Sequence, residues 1–85
     1  MDLEKAFESA VIKSKELTQR PSNDELLKLY ALYKQSTFGD NTSNRPEGFD
    51  FKGAAKHDAW GGLKGMSPEE AMGQYISLVQ ELHNK

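Results

Sequence analysis

The sequence predicts an all-α protein of four helices, on three observations. Apolar residues recur in four separate stretches at the i, i+3, i+4, i+7 spacing of a single helical face. Two of those stretches open with a serine followed three residues later by glutamate, a capped helix start. Glycine, proline, asparagine and aspartate gather in the segments between the stretches. At 85 residues, 36% of them apolar and 28% charged, the chain has the composition of one globular domain over residues 1–85. A chain this short buries only about 60–65% of the surface it exposes when unfolded, which leaves one thin core and little room for a deep catalytic pocket.

The first helix runs from about Leu3 to Leu17, with Phe7, Ala10, Val11 and Ser14 completing its stripe, and Arg20-Pro21 ends the segment. Ser22 and Glu25 form a capping box at the start of the second, which continues to about Thr37. Its apolar arc, through Leu26, Leu27, Leu29, Tyr30, Leu32 and Tyr33, is wide enough to touch neighbours on more than one side. Residues 38–51 then read as a long loop. Stretched out, that loop reaches roughly 45 Å. The helix before it is only about 24 Å long, so the chain has room to return along it before the third helix begins. That third helix spans about Lys52 to Leu63; Phe51, Ala55, Ala59 and Leu63 fall four apart on one side with Trp60 beside them, and Gly61-Gly62 weakens its end. Ser67-Pro68-Glu69-Glu70 starts the fourth, with Met72, Tyr75, Ile76, Val79 and Leu82 as its inner stripe. Propensity does not explain Gly73 inside that helix.

The same residues remove whole function classes. With no cysteine there is no disulfide, thiolate zinc site or thiol nucleophile, and the reducing cytoplasm is the default compartment. No stretch is long enough for stable membrane insertion, and Met1-Asp2-Leu3-Glu4-Lys5 lacks a signal-peptide pattern. A net charge of −2 argues against a nucleic-acid partner. The sequence shows no nucleophile elbow, no metal-ligand spacing and no phosphate-binding glycine loop. His57 and Asp58 are helix neighbours that point about 100° apart. The expectation is a binding protein with neither enzyme activity nor cofactor.

Tyr30, Tyr33 and Lys34 are the first candidates for binding. Their spacing places two phenols and one ammonium on one helical face, able to stack a base and hold a phosphate. The plainer explanation is two core rings with a lysine reaching past them. Lys52 and Lys56 share a face of the third helix; if the loop lays that helix beside the second, Lys34 and Lys56 converge on one anion. Tyr75 lies in an inner stripe, and Trp60 reads as core.

The run Leu29-Tyr30-Ala31-Leu32-Tyr33-Lys34-Gln35-Ser36-Thr37-Phe38-Gly39-Asp40 is distinctive. With it go Arg45-Pro46, Asp50-Phe51-Lys52-Gly53, Ala55-Lys56, Asp58-Ala59-Trp60, Leu63-Lys64-Gly65-Met66, Ala71-Met72 and Tyr75-Ile76. Together they resemble the acyl-CoA-binding protein family, also called diazepam-binding inhibitor, over nearly the whole chain. The resemblance implies a four-helix bundle with a long overhand connection between helices two and three. It implies a monomeric intracellular carrier and pool former for medium- to long-chain fatty acyl-CoA, exchanging its ligand with acyl-CoA-using enzymes. It further implies that Tyr30, Lys34 and Lys56 hold the ribose 3′-phosphate, that Tyr33 stacks on adenine, and that Lys15, Lys52 and Tyr75 surround the headgroup. Phe7, Val11 and Leu27 then lie near the acyl groove. Two positions depart from the family pattern: His57 stands where tryptophan is usual, and Ala54 where lysine is usual. Apart from the resemblance, a helical module docking a peptide or membrane surface fits the spacing of the tyrosine face equally well, while a partnered enzyme subunit such as an isomerase accessory domain is a third reading to which the sequence lends no catalytic group.

Overall fold

Each helix begins where a short polar side chain takes over the backbone N–H groups that have no partner inside the helix. In the computed structural model, which describes residues 2–85, Asp2 caps α1 (Leu3–Ser14), Ser22 caps α2 (Asn23–Thr37), Asp50 caps α3 (Phe51–Gly61) and Ser67 caps α4 (Pro68–His83). The predicted capping box is present: Glu25 N–H donates to Ser22 Oγ at 3.1 Å, and Ser22 N–H donates to Glu25 Oε1 at 2.8 Å. Glu25 also accepts from Lys85 Nζ at 2.6 Å, and chiefly through that bond its carboxyl is held down at about 2. No strand is present among the described residues.

Three helix boundaries, on two helices, differ from the sequence expectation. α1 stops at Ser14, three residues before Leu17, although Leu17 still packs on the core from the following turn. α3 begins one residue before Lys52 and ends at Gly61; Gly62 caps it, and Leu63 packs on the core from the turn beyond. At both C-terminal ends the apolar periodicity outruns the helix, because a residue in a turn can fill a core position as well as one in a helix.

Contacts between side chains set the helix directions. Phe7 meets Tyr75 and Lys13 O meets His83, so α1 and α4 run parallel. Lys85 meets Glu25 near the start of α2, while Gln35 near its end bonds to Met66 just before α4, so α2 and α4 are antiparallel. Tyr30 lies beside Lys56 and Lys34 beside Trp60, so α2 and α3 run parallel. A parallel pair needs a connection that returns the full length of the helix. Residues 38–50 supply it, which makes this the overhand bundle.

The packed neighbours are α3 with α2, α2 with α4, and α4 with α1. The helices thus lie nearly side by side, and the molecule measures 40 × 28 × 15 Å along its principal axes. The core sits along the α1–α4–α2 seam and contains Phe7, Ala10, Leu29, Leu32, Ala71, Tyr75, Leu78, Val79 and Leu82. The wide apolar arc of α2 is explained by its two neighbours, α4 and α3. Trp60 does not join this core. It is half-buried and donates from Nε1 to Gly39 O at 2.8 Å, pinning α3 to the end of α2.

A polar joint fixes the loop. Gln35, fully buried, donates from Nε2 to Asp40 Oδ1 at 2.9 Å and to Met66 O at 2.8 Å. Asp40 also accepts from Gly65 N–H at 2.9 Å; that bond first, and Gln35 second, hold its carboxyl below the usual carboxylate range. Gly39 and Gly65, at φ 81° and 91°, supply left-handed turns around this joint that side-chain-bearing residues rarely adopt. Further along, Arg45 clasps Asp58 through two nitrogens at 3.1–3.3 Å, and His57 Nε2 lies 2.9 Å from Ser43 O. Arg45 above all holds the Asp58 carboxyl low. His57, at the usual tryptophan position, therefore ties the loop to α3, while Ala54 is buried.

Gly73 has open space around it: a Cβ built there meets nothing within 4 Å. Glycine inside a helix costs about 1 kcal/mol relative to alanine. Gly73→Ala is therefore expected to stabilise the protein by about 0.5–1 kcal/mol, raising the melting temperature by roughly 2–8 °C. A thermal melt that stays level or falls counts against the open position.

Candidate ligand-binding site

The ring of Tyr30 is where α2 and α3 put their charges together. Lys34 Nζ lies 5.8 Å from the centre of that ring and Lys56 Nζ lies 5.2 Å from it. Lys34 comes from the next turn of α2, and Lys56 reaches across because the two helices run parallel. Among the described residues, the charged contacts are Arg45–Asp58, His57–Asp58 and Lys85–Glu25, so neither lysine is paired. Two uncompensated ammonium groups over one phenol ring form a local site for a multiply charged anion on a chain that is acidic overall.

Tyr30 also divides two hollows. On the α3 side lies a trough of about 600 Å³, floored by Leu26, Leu27 and Ala55, with Lys52 and Lys56 along its edge and Arg20 and Asn23 at the other end. Asn23 is seven residues from Tyr30, so the trough runs about 10 Å along α2. On the α1 side lies a cleft of about 340 Å³ lined by Val11, Ser14, Lys15, Tyr30, Tyr33 and Tyr75. Val11 and Tyr33 are shared with a further groove of about 500 Å³ that includes Phe7, Ile12 and Met72.

This arrangement gathers the predicted headgroup residues around one side chain. Lys34 and Lys56 stand at Tyr30, Lys15, Tyr33 and Tyr75 lie on its α1 side, and Lys52 lies on its α3 side. It does not gather the three acyl-groove residues. Phe7 and Val11 face the α1 side, whereas Leu27 faces the trough on the α3 side, so they do not line one common groove. Helical spacing places a residue on a face of its own helix and carries no information about which side of a neighbouring helix that face meets.

The tyrosines divide between the two sequence readings. Tyr75 is a core residue at 4% exposure, and its hydroxyl donates to Ser14 Oγ at 3.2 Å in the floor of the cleft. Tyr33 is 39% exposed, with Phe7 stacked 6.0 Å from it and Tyr75 tilted 6.5 Å away. Residues that sequence reasoning passed over include Arg20, Asn23 and Leu26 of the trough and Phe38 beside Lys34. Phe38 was findable, since it lies four residues after Lys34 and so shares its helical face.

An apolar trough opening beside a cationic, aromatic patch marks a helical binding protein of the kind that takes amphiphilic anions. Known proteins agree. A family model described as acyl CoA binding protein matches residues 4–79. The chain is 52% identical over 77 residues to acyl-CoA-binding protein homolog 1 of Caenorhabditis elegans, covering 91% of this chain and 90% of that one. It is 48% identical over 79 residues to the acyl-CoA-binding protein of Dictyostelium discoideum, covering 93% and 94%. Its fold superposes on the crystal structure of Oryza sativa acyl-CoA-binding protein 2 with a TM-score of 0.93 at 43% identity, covering 98% of this chain and 92% of that one. The chain belongs to the acyl-CoA-binding protein family.

Proposed function

We propose that this chain is a single acyl-CoA-binding domain that binds medium- to long-chain fatty acyl-CoA thioesters non-covalently, and that it serves as a cytoplasmic carrier and pool former. The observation that carries the reading is the pair of ammonium groups, each within 6 Å of the Tyr30 ring, at the edge of an apolar trough. In this reading Lys34, Lys56 and the Tyr30 hydroxyl take the ribose 3′-phosphate, and the exposed face of Tyr33 stacks on adenine. Lys15, Lys52 and Tyr75 surround the rest of the headgroup. The acyl chain lies in the trough over Leu27, Leu26 and Ala55, while Phe7 and Val11 support the adenine side through Tyr33. The family match does not favour an interaction module in place of a carrier.

The physics divides the work between the two ends of the ligand. Charge-assisted hydrogen bonds to a phosphate contribute about 1.5–3 kcal/mol each and select the coenzyme. Each methylene buried in the trough adds about 0.8 kcal/mol, or nearly fourfold in affinity, until the trough is full. The reading includes no catalysis. His57 stands beside Ser43, but its Nε2 meets the serine's carbonyl oxygen, and the serine hydroxyl donates to Asn41 Oδ1 instead. A monomer exchanging ligand with acyl-CoA-using enzymes completes the proposal. Among the described residues, no helix is long and apolar enough to cross a membrane.

Calorimetric titration with acyl-CoA esters from octanoyl to stearoyl, together with palmitate and free coenzyme A, tests this. Palmitoyl-CoA is expected to bind on the order of a hundredfold or more tighter than either of its halves. That affinity should weaken in high salt, as exposed charges are screened. Equal affinity for palmitate and palmitoyl-CoA overturns the proposal.

A further inference from the structure

Phe38 is a large apolar side chain that is 69% exposed, and it takes no part in the core. Its backbone is nonetheless firmly set. It is the C-cap of α2, its N–H donates to Lys34 O at 2.8 Å, and the Gly39 that follows is held by Trp60. Its ring lies 6.3 Å from that of Trp60, and Lys34 Nζ sits 4.6 Å from the Phe38 centroid and 5.7 Å from the Trp60 centroid. With Tyr30 at 5.8 Å, three aromatic rings surround one ammonium group that has no carboxylate partner among the described residues.

We propose that Phe38 is a positioning residue for ligand binding: its ring, with that of Trp60, holds the Lys34 ammonium in place for the terminal phosphate. A lysine side chain has many rotamers, and restricting them on binding costs entropy. An ammonium already seated on aromatic faces has lost part of that freedom before the ligand arrives. The attraction comes from the ring quadrupole, so another aromatic side chain at position 38 keeps it and an aliphatic one of similar bulk does not. The inference rests on the proposed phosphate site at Lys34, Lys56 and Tyr30, and adds a residue that itself offers the ligand no hydrogen bond.

The test compares palmitoyl-CoA with its 3′-dephospho analogue by calorimetry in the unchanged chain, Phe38→Leu and Phe38→Tyr. The unchanged chain is expected to prefer the 3′-phosphorylated ester. Phe38→Leu should reduce that preference about two- to fivefold, the size of an exposed cation–π contact, by weakening the phosphorylated ester alone. Phe38→Tyr should retain the preference. A merely structural role for Phe38 weakens both esters alike and leaves the ratio unchanged, which overturns the proposal, as does an equal loss of preference in both variants. If the unchanged chain binds the two esters alike, the phosphate site itself is wrong and the role of Phe38 falls with it. Circular dichroism melts of both variants confirm that each is folded when it is titrated.

Discussion

Palmitoyl-CoA is expected to bind the Lys34→Ala/Lys56→Ala double variant at least about a hundredfold more weakly than the unchanged chain, since each charge-assisted hydrogen bond lost is worth roughly 1.5–3 kcal/mol. Both ammonium groups stand at the Tyr30 ring without carboxylate partners among the described residues, so removing them leaves no orphaned anion in the fold. Both lysines are half-buried against aromatic rings, contacts worth about 0.5–1 kcal/mol each. The variant should therefore melt roughly 4–16 °C lower yet remain folded at 25 °C while losing most of its affinity. Calorimetry and a thermal melt on the same preparation separate the two effects. Affinity within threefold of the unchanged chain places the anion elsewhere. Single variants show whether the two lysines act on one phosphate, because groups sharing a partner give non-additive losses.

Leu32→Ala should have the largest effect on stability. Leu32 is 1% exposed on the face of α2 opposite the trough, in the core cluster shared with α1 and α4. Truncating a buried leucine to alanine costs about 2–5 kcal/mol, partly through lost transfer energy and partly through the cavity left behind. A chain of this size has only about 4–13 kcal/mol in total. The melting temperature is thus expected to fall by at least about 10 °C. Adding palmitoyl-CoA at a hundred times its dissociation constant should restore about 2.7 kcal/mol, provided the ligand binds only the folded form. A fall of less than about 3 °C without ligand means that the α1–α4–α2 seam is not the main core.

The sequence was most informative where the decisive interactions are local. The Ser22–Glu25 box lies within four residues, and so does the Ser67-Pro68 start, so both helix beginnings could be read directly. The inner stripe of α4 was legible in large part: Tyr75, Val79 and Leu82 are buried and Met72 and Ile76 are half-buried against the core, whereas buried Ala71 and Leu78 lie outside the expected stripe. The ends of α1 and α3 were less legible: Leu17 and Leu63 pack on the core from turns, and periodicity alone does not separate a turn from a last helical residue. Trp60 was misread as core for a related reason. It sits beside the apolar side of α3, yet it is half-buried and bonded to the end of α2.

Taken alone, the order of residues determined the number of helices, where they start to within a residue, the inward faces of α1, α2 and α4, and the shared face of Tyr30, Tyr33 and Lys34, but not the inward face of α3, where Ala54 is buried and Phe51 is exposed. Hydrogen bonds and side-chain spacings within a few residues settle such features wherever the helix later docks. The tertiary structure alone decided that α3 runs parallel to α2, that Lys56 therefore meets Tyr30, and that Phe7 and Val11 lie across Leu26 and Tyr30 from Leu27. Those outcomes depend on the path of residues 38–50 and on how the helices pack against one another. Both are set by contacts between residues distant in the chain, and no local pattern encodes them.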